Sequence, residues 1–497
     1  MAETTPPAAA NRQAGRGVLV AACVSAFVVN ANTSAVTILL PAISKDLNAP
    51  ISLLQWAVTG YMLVGAASIV TSGALGDVLG RRRVFIAGLG LFVVSCVFIA
   101  LAGSGGGVVA GRWIQGAAGS TILACGMSLL SVSASGAGQM RAITIWGAAS
   151  AAGAACGPLV GGLLVNSTGW QGLFWIDALV AAVCIPLTIR TVQESRDPER
   201  SKSIDFVGTI LIAVILVPLV LALSEGASWG WVSAGTIGCL VVSVAAMFAF
   251  VRVEGRVEAP LVDLQLLRNR VLVASTIAIL IVAGTINALM YVLSLYFQDP
   301  NGFGMTALKA GLATLPAAAV MIAITPFITP IAVKLGSRQA VGIGFAFAAV
   351  GFGWLAFVGS DWEYVAFILP LIAISAGLGL SNGPASSAST SAVPDNQVGQ
   401  ASGISNMARY VGGALFVASA ATVSTTTIDN QTAAGASAAD ALAAGLARSS
   451  LLMALICAGG VAFAFLMGRH RGEPPKAVHR AAAAAVTAHT IPTRPTS

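Results

Sequence analysis

Residues 73–85 read GALGDVLGRRRVF and follow directly on an apolar stretch. A carboxylate and three consecutive arginines therefore stand among glycines in a chain of which only 9% is charged. Gly73, Gly76 and Gly80 permit close helix contact and a tight turn, and Asp77 can accept hydrogen bonds from a helix N-terminus or pair with an arginine. We expect a constrained turn between two helices here rather than a solvated loop.

The composition around this stretch indicates a membrane protein. The 497-residue chain is 57% hydrophobic, which leaves too little polar surface for a water-soluble globule of this size. Apolar stretches of about 20 residues recur along it, and a helix of that length crosses the hydrocarbon core. Because lipid offers exposed backbone amides no partner, the sequence predicts an all-α membrane protein.

Fourteen apolar stretches are long enough to be transmembrane helices. They are residues 17–41, 54–76, 84–103, 107–131, 142–165, 171–190, 206–224, 231–251, 271–297, 310–333, 340–359, 363–387, 399–424 and 449–468. Residues 425–447 are too polar to span, and we expect them to form a long outer loop, with a surface helix as the alternative.

The basic residues predict the orientation. Among the connections between spans, only Lys45, Lys309 and Arg448 fall on the side opposite the N-terminus, and the other basic residues lie on its side. By the positive-inside rule, both termini are cytoplasmic. The net charge of +7 thus reports topology, and we expect the lipid bilayer rather than nucleic acid as a partner.

A weak internal repeat predicts two halves. LGRRRVFIAG at 79–88 aligns with LGSRQAVGIG at 335–344, each after the second span of its half. The predicted organisation is a cytoplasmic N-terminal segment (1–16), a six-helix bundle (17–190), a linker (191–270) with an inserted transmembrane hairpin at about 206–251, a second six-helix bundle (271–468) and a disordered cytoplasmic tail (469–497).

With three motifs, the sequence resembles the major facilitator superfamily, and in particular its fourteen-span drug:proton antiporter branch. The loop motif contains Gly73, Gly76, Asp77, Gly80 and Arg81; the fourth-helix motif Arg112, Gln115 and Gly116; and the fifth-helix motif Gly153, Gly157, Pro158, Gly161 and Gly162. The last is typical of exporters in the superfamily. We expect the loop motif to act as a gate that latches the two halves together on the cytoplasmic side, the alternative being that Arg81, Arg82 and Arg83 only determine topology.

The resemblance implies the major facilitator fold and export of hydrophobic small molecules, such as drugs, antibiotics or secondary metabolites, by alternating access. It further implies a monomer in the bacterial inner membrane that uses a proton gradient and no cofactor. A lipid or metabolite transporter, or a facilitator of the same fold, stays open as an alternative. The chain shows no nucleophile–base set, metal-ligand cluster or phosphate-binding loop that would favour an enzyme.

Two arginines lie within apolar spans. Arg112 sits where a charge costs about 3 kcal/mol even on lenient insertion scales, so it should face a cavity or a partner. The alternative is that it reaches the outer surface, because its span begins nearby. The second arginine is Arg409, which matches an arginine position that is common in the branch.

One position departs from the branch pattern. The branch commonly carries an aspartate in its first helix, where this chain has Asn32. An amide cannot carry a proton near neutral pH. Asp177 lies near the outer end of its span, so we expect no acid near the membrane centre. Proton coupling would then use Asp77, Asp177 or a proton on the substrate, and the cargo is expected to be neutral, anionic or amphipathic.

Polar, aromatic and methionine side chains on the apolar spans are candidates for cargo binding. They are Asn30, Asn32, Gln55, Trp56, Tyr61, Gln115, Met127, Asn287, Tyr291, Asn382, Asn406 and Arg409. For each of them, a satisfied hydrogen bond between helices is the competing interpretation.

Overall fold

The computed structural model describes residues 8–133, 136–196, 205–257, 260–394 and 397–465. The predicted tail, 469–497, lies outside the described residues, as do the first seven positions of the N-terminal segment. All regular structure in these ranges is helical, as predicted.

Sixteen α-helices make up the described chain. They are α1 (Ala8–Leu47), α2 (Ile51–Leu79), α3 (Arg81–Ala100), α4 (Gly105–Ser133), α5 (Gly136–Thr168), α6 (Gln171–Thr191), α7 (Phe206–Trp229), α8 (Ala234–Glu254), α9 (Arg270–Gln298), α10 (Ala307–Ala313), α11 (Leu315–Ala323), α12 (Thr325–Leu335), α13 (Ser337–Leu355), α14 (Tyr364–Ser391), α15 (Val398–Ala433) and α16 (Ala438–Ala464). We call the end of the bundle that carries the α2–α3 turn the inner end, after the predicted orientation.

Thirteen of the described helices are long and apolar enough to cross a membrane. The tenth predicted span, 310–333, is divided among the short helices α10, α11 and α12. Thr314 and Ile324 separate these helices, and Pro316 and Pro326 are the second residues of α11 and α12. A proline lacks the amide that would continue the hydrogen-bond ladder, which accounts for an interrupted span. The structure thus agrees with fourteen spans, one of them broken.

The long loop expected at 425–447 is wrong, and most of the segment is helical, as the alternative interpretation had it. Helix α15 continues to Ala433, and α16 begins at Ala438 after a turn in which Gly435 has a φ of 84°. The hydroxyl of Ser437 caps α16 by accepting from the amide of Asp440 at 3.1 Å. Polar residues can continue a helix beyond the lipid because water satisfies their side chains. The free backbone groups at the helix ends are satisfied by caps. Low hydropathy marked the end of the apolar stretch, not the end of the helix.

The helix pairing repeats between the two halves. In each half the first helix packs on the fifth, α1 on α5 and α9 on α15. The third helix of each half, α3 or α13, packs on both the fourth and the sixth. The packing therefore has the duplication that the weak sequence repeat suggested.

The halves contact each other at the outer end through α1 and α9. Ser294 donates its hydroxyl to the carbonyl of Thr37 at 2.8 Å, and the Gln298 amide donates to the carbonyl of Ile38 at 3.0 Å. Two further contacts join the halves, α2 with α15 and α5 with α10.

The inserted hairpin, α7 and α8, lies across the α2–α15 contact. On the α2 side, Thr71 shares a hydrogen bond with Thr209 of α7, and the Gln55 amide reaches Ser224 at 3.5 Å. On the α15 side, the Thr422 hydroxyl donates to the carbonyl of Leu223 at 2.8 Å. Helix α7 is thereby bonded to both halves.

Glycines bring α5 against α1 within the first half. A Cβ added at Gly157 would lie 2.0 Å from the hydroxyl oxygen of Ser34, and one added at Gly153 would lie 2.2 Å from the carbonyl oxygen of Phe27. Gly147, on the same helix, faces open space within 4 Å. The contact requires glycine only where the two backbones meet.

We predict that Gly157→Val destabilises the protein and Gly147→Val does not. The added side chain at 157 must displace α1, and overpacking of this kind costs about 1–3 kcal/mol. Thermal unfolding of the detergent-purified variants, followed by loss of monodisperse protein, measures the difference. Equal unfolding temperatures for the two variants would contradict the α1–α5 contact.

Candidate functional site

Arg112 is fully buried on α4, with 0% of its surface exposed. Its Nε donates to the carbonyl oxygen of Ala57 on α2 at 3.0 Å. Its Nη1 donates to Oδ1 of Asn32 on α1 at 2.6 Å and to Oε1 of Gln115 one turn along its own helix. Arg112 therefore joins three helices, and the alternative that it reaches the outer surface is wrong.

The fourth-helix motif explains this geometry. Arg112 and Gln115 are three residues apart and share a face of α4. The Gln115 amide donates to Sγ of Cys96 on α3 at 3.0 Å, which holds its oxygen toward Arg112. A Cβ at Gly116 would lie 2.3 Å from the carbonyl oxygen of Tyr61, so glycine lets α2 come close enough for the guanidinium to reach it.

Asp177 completes the cluster. Its Oδ2 accepts a hydrogen bond from Nδ2 of Asn32 at 2.7 Å, and only 5% of the residue is exposed. Arginine is purely a donor and an ionised carboxylate purely an acceptor, so Asn32 must turn its oxygen to Arg112 and its nitrogen to Asp177. Asn32 thus links an acid on α6 to a cation on α4.

Asp177 corrects one expectation from the sequence. It lies less than two turns from the outer end of α6, as expected, but its side chain faces the interior of the first half. A buried acid is therefore available beside Asn32. The four residues Arg112, Asn32, Asp177 and Gln115 are called the arginine network below.

Tyr61 and Tyr410 connect the arginine network to the second half. The guanidinium carbon of Arg112 lies 4.2 Å from the ring centroid of Tyr61, a cation–π contact. The ring of Tyr61 faces that of Tyr410 on α15 with centroids 6.4 Å apart. Gly65 makes room, since a Cβ there would lie 2.6 Å from the Tyr410 ring. The network thus reaches the contact between the halves through one aromatic pair.

Arg409, next to Tyr410, is held by neutral partners. Its Nη1 donates to Oδ1 of Asn382 at 2.9 Å and its Nη2 to the hydroxyl of Ser386 at 2.7 Å, both on α14. Neither of these partners carries a charge. Both arginines thus donate to neutral groups, but only for Arg112 does one of these partners, Asn32, also bind a carboxylate.

The loop motif forms the tight turn that the sequence predicted. Gly80, with a φ of 116°, donates its amide to the carbonyl of Gly76 at 3.0 Å, and α3 begins at Arg81. Arg81 pairs with Asp77 at 2.9 Å. Gly73 differs from expectation, because a Cβ there would meet nothing within 4 Å. A close helix contact does not account for glycine at that position.

The chain that follows α6 holds this turn in place. The Arg82 amide donates to Oε1 of Glu194 at 3.1 Å, and Arg83 lies 3.6 Å from Oε2 of the same residue. The Arg81 amide donates to the carbonyl of Ser195 at 2.9 Å. The loop motif is thus fastened to the linker that leaves the first half. Whether it also latches the two halves together stays a prediction.

The fifth-helix motif divides between two contacts. Gly153, Gly157 and Gly161 face α1 within the first half. A Cβ at Gly162 would lie 2.6 Å from the carbonyl oxygen of Ala307 on α10, so this end of the motif meets the second half. The carbonyl oxygen of Pro158 likewise lies 2.5 Å from where Gly311 of α10 would carry a Cβ.

The sequence profile described as Major Facilitator Superfamily matches residues 22–417 of the chain. The chain belongs to the major facilitator superfamily. It is therefore a multi-pass membrane protein of a transporter family rather than of an enzyme family.

Similar proteins include several bacterial exporters. The chain is 28% identical to the tetracenomycin C resistance and export protein of Streptomyces glaucescens, over 80% of this chain and 74% of the relative. It is 30% identical to the cephamycin export protein CmcT of Amycolatopsis lactamdurans, over 82% and 84%. The drug efflux pump JefA of Mycobacterium tuberculosis is 29% identical, over 80% and 78%.

Solved structures support the fold independently. An autoinhibited POT family peptide transporter superimposes with a TM-score of 0.67 at 16% sequence identity, covering 93% of this chain and 99% of that one. The human organic anion transporter MFSD10 superimposes with a TM-score of 0.59 at 16% identity, covering 93% and 100%. At these identities the likeness concerns the fold alone.

Three further cargo candidates of this major facilitator protein lie at contacts with α15. The Ser402 hydroxyl on α15 lies 3.9 Å from Sδ of Met127. The amide nitrogen of Asn287 donates to the carbonyl of Ala283 in its own helix at 2.8 Å and lies 3.5 Å from where Gly413 would carry a Cβ. Asn406 is on α15 itself and half-buried, one turn before Arg409.

The other candidates lie apart from this region or bond within their own helix. Gln55 contacts the hairpin, and the amide of Asn30 donates to the carbonyl of Ala26 at 2.8 Å. Trp56 accepts a hydrogen bond through its carbonyl from Trp113 at 3.2 Å, while Tyr291 is only 2% exposed. The Gln55 contact agrees with the competing interpretation, a hydrogen bond between helices, whereas the Asn30 bond stays within α1.

Sequence reasoning missed Tyr410, Glu194 and the link from Asp177 to Asn32. Tyr410 carried a usable signal, because the chain has only 5 tyrosines and this one adjoins an intramembrane arginine. Glu194 lay in a linker with no pattern that indicated its partner. The Asp177–Asn32 bond joins residues 145 positions apart, which no local pattern reports.

We predict that Arg112→Lys lowers export at least about tenfold while the protein still folds. Lysine keeps the charge, but its single nitrogen cannot reproduce the planar arrangement that reaches Ala57, Asn32 and Gln115 together, and each lost charged hydrogen bond costs about 1.5–3 kcal/mol. Arg83→Lys, at a largely exposed side chain, is the matched control. Transport into inverted vesicles at equal protein content measures both, and equal rates would contradict the role of the network.

Proposed function

We propose that this protein exports hydrophobic small molecules across the bacterial inner membrane by alternating access, driven by inward proton movement. The similar proteins named for export and drug efflux support the direction and the cargo class. The segregation of basic residues supports a topology with both termini in the cytoplasm. The chain works as a monomer without cofactor or nucleic acid, and its energy source is the proton gradient.

The arginine network is the observation on which the coupling proposal rests. Asp177 is the acid that Asn32 connects to Arg112, and it lies about 9 Å along α6 from the outer end of that helix. A proton from the outer side therefore has a short distance to travel. We assign Asp177 as the proton-binding residue.

Protonation of Asp177 changes the charge of the network. With the carboxylate ionised, the network is neutral overall, and its hydrogen bonds to charged groups are at their strongest. A proton on Asp177 leaves Arg112 as an uncompensated charge among apolar helices, where charge is costly. The change acts on Tyr61, which touches both Arg112 and Tyr410, and so biases the contact between the halves.

The cargo is a neutral, anionic or amphipathic hydrophobic molecule. Arg409 is held by Asn382 and Ser386, which do not balance its charge. Met127 and the Tyr61–Tyr410 pair add polarizable and aromatic surface close to α15, and Asn287 adds a polar amide. Such a surface accepts varied apolar groups, while the positive charge disfavours permanent cations.

We predict that Asp177→Asn reduces transport driven by a pH gradient to the level of empty vesicles. The amide keeps the size of the side chain but cannot bind and release a proton. Moving the acid, with Asn32→Asp and Asp177→Asn combined, should restore part of the activity, because the carboxylate then faces Arg112 directly. Asp429→Asn, at an exposed carboxylate, is the matched control.

Inverted vesicles loaded with a pH-sensitive dye measure this prediction. One neutral, one anionic and one cationic fluorescent compound serve as cargo. Full activity of Asp177→Asn would remove Asp177 from the coupling step, and gradient-independent transport by wild type would favour the facilitator alternative. Ethidium transported better than the neutral and anionic compounds would overturn the cargo assignment.

A further inference from the structure

A second pair of acids lies at the base of the hairpin, away from the arginine network. Asp205 precedes α7 and is 8% exposed, while Glu254 ends α8 and is 3% exposed. Oδ2 of Asp205 and Oε1 of Glu254 are both buried and have no hydrogen-bond partner among the described residues. Buried carboxylate oxygens without a donor are costly, so each requires an explanation.

The two unpartnered oxygens point to the same place. A Cβ added at Gly208 would lie 2.4 Å from Oδ2 of Asp205 and 2.7 Å from Oε1 of Glu254, so the two oxygens are within about 5 Å of each other. The other oxygen of each acid accepts a hydrogen bond from a backbone amide. Asp205 Oδ1 accepts from the Gly208 amide at 2.7 Å, and Glu254 Oε2 accepts from the Val262 amide at 3.4 Å.

Among the described residues, no cation pairs with either acid. Arg252 and Arg256, on either side of Glu254, are exposed. Asp263 accepts from the Gln265 amide at 2.8 Å. The ion pairs of the described residues involve other acids. On α2, the charged pair of the loop motif begins six residues beyond Thr71, about 9 Å along the helix.

We propose that Asp205 and Glu254 bind one proton between them. Two carboxylates this close in a buried site do not both ionise, and a shared proton satisfies both free oxygens at once. The helix ends determine which acid carries it. Asp205 caps the N-terminus of α7, where the helix dipole stabilises negative charge, whereas Glu254 ends α8, where the dipole opposes it. Glu254 therefore carries the proton on Oε1 and donates it to Oδ2 of Asp205.

This proton site joins three parts of the molecule. The carbonyl of Asp205 accepts from the Thr209 hydroxyl at 3.0 Å, and Thr209 contacts Thr71 of the first half. Glu254 accepts a hydrogen bond from the amide of Val262, which lies in the segment that leads to α9 and the second half. Loss of the proton places two negative charges side by side and separates α7 from α8. The inner base of the hairpin is thus fastened at neutral or acidic inner pH and released at alkaline inner pH.

Hydrogen–deuterium exchange of the full-length protein in nanodiscs tests the site. We expect residues 205–212 and 254–262 of wild type to exchange at least about tenfold faster than those of Glu254→Gln at alkaline pH, one pKa unit of interaction being tenfold in equilibrium. The two proteins should match at acidic pH, because the amide donates as the protonated acid does. Glu225→Gln, at the outer end of the same hairpin, should behave as wild type.

Infrared spectroscopy supplies the second measurement. Wild type should show a carbonyl band of a protonated buried carboxyl that Glu254→Gln removes. If that variant fails to fold, Asp205→Asn replaces it, since its amide nitrogen can donate to Glu254 while its oxygen keeps the cap. Equal exchange in wild type and variant at every pH would overturn the proposal. So would protection that depends on added sodium, potassium or calcium, because a metal cation would then occupy the site.

Discussion

The burial of a full positive charge at Arg112 is the constraint on which the first half of this transporter depends. A guanidinium without solvent depends on protein groups for its hydrogen bonds. The carbonyl of Ala57 and the side-chain oxygens of Asn32 and Gln115 accept from Nε and Nη1, and the ring of Tyr61 lies against the guanidinium, whereas Nη2 has no hydrogen-bond partner among the described residues. Each contacting group comes from α1, α2 or α4, so the helices cannot shift against one another without exposing the charge to apolar surroundings. Glycine at position 116 lets α2 come close enough to α4 for these contacts.

The two halves repeat their helix pairing but differ in how they hold charge. The first half balances Arg112 with Asp177 through a neutral amide. In the second half, Arg409 donates to two neutral acceptors, the side-chain oxygens of Asn382 and Ser386. Tyr61 and Tyr410 lie between these two environments. Duplication therefore supplies the scaffold, while the side chains of each half give its buried arginine a different electrostatic environment.

How much of this could be read from the sequence depends on distance along the chain. The turn at Gly80, the hairpin and the burial of Arg112 follow from local rules, namely glycine geometry, apolar length and the cost of a buried charge. Asn32 was recognisable as a departure, but its partner Asp177 was not, because the bond joins helices far apart in sequence. An acid close to a helix end can face either the solvent or the interior, and hydropathy does not distinguish them.

Helix boundaries failed for a related reason. Polarity ended the predicted thirteenth span at 424, yet the helix continues to Ala433, since a helix needs apolar residues only where lipid surrounds it. The tenth span shows the opposite case, in which apolar character is continuous but prolines and local packing divide the helix. Hydropathy thus indicates whether a segment can lie in lipid. Prolines and backbone hydrogen bonds determine whether that segment forms one continuous helix.

That division has a mechanical consequence. Helix α10 is docked on the end of the fifth-helix motif, while α11 and α12 are separate rods joined to it by single residues. A continuous helix would transmit any tilt along its full length. In three jointed segments, a tilt of α11 or α12 need not move α10, which lies against Gly162 and Pro158 at the outer end of α5. The breaks thus separate the orientation of the inner part of this span from the contact that its outer part makes with the first half.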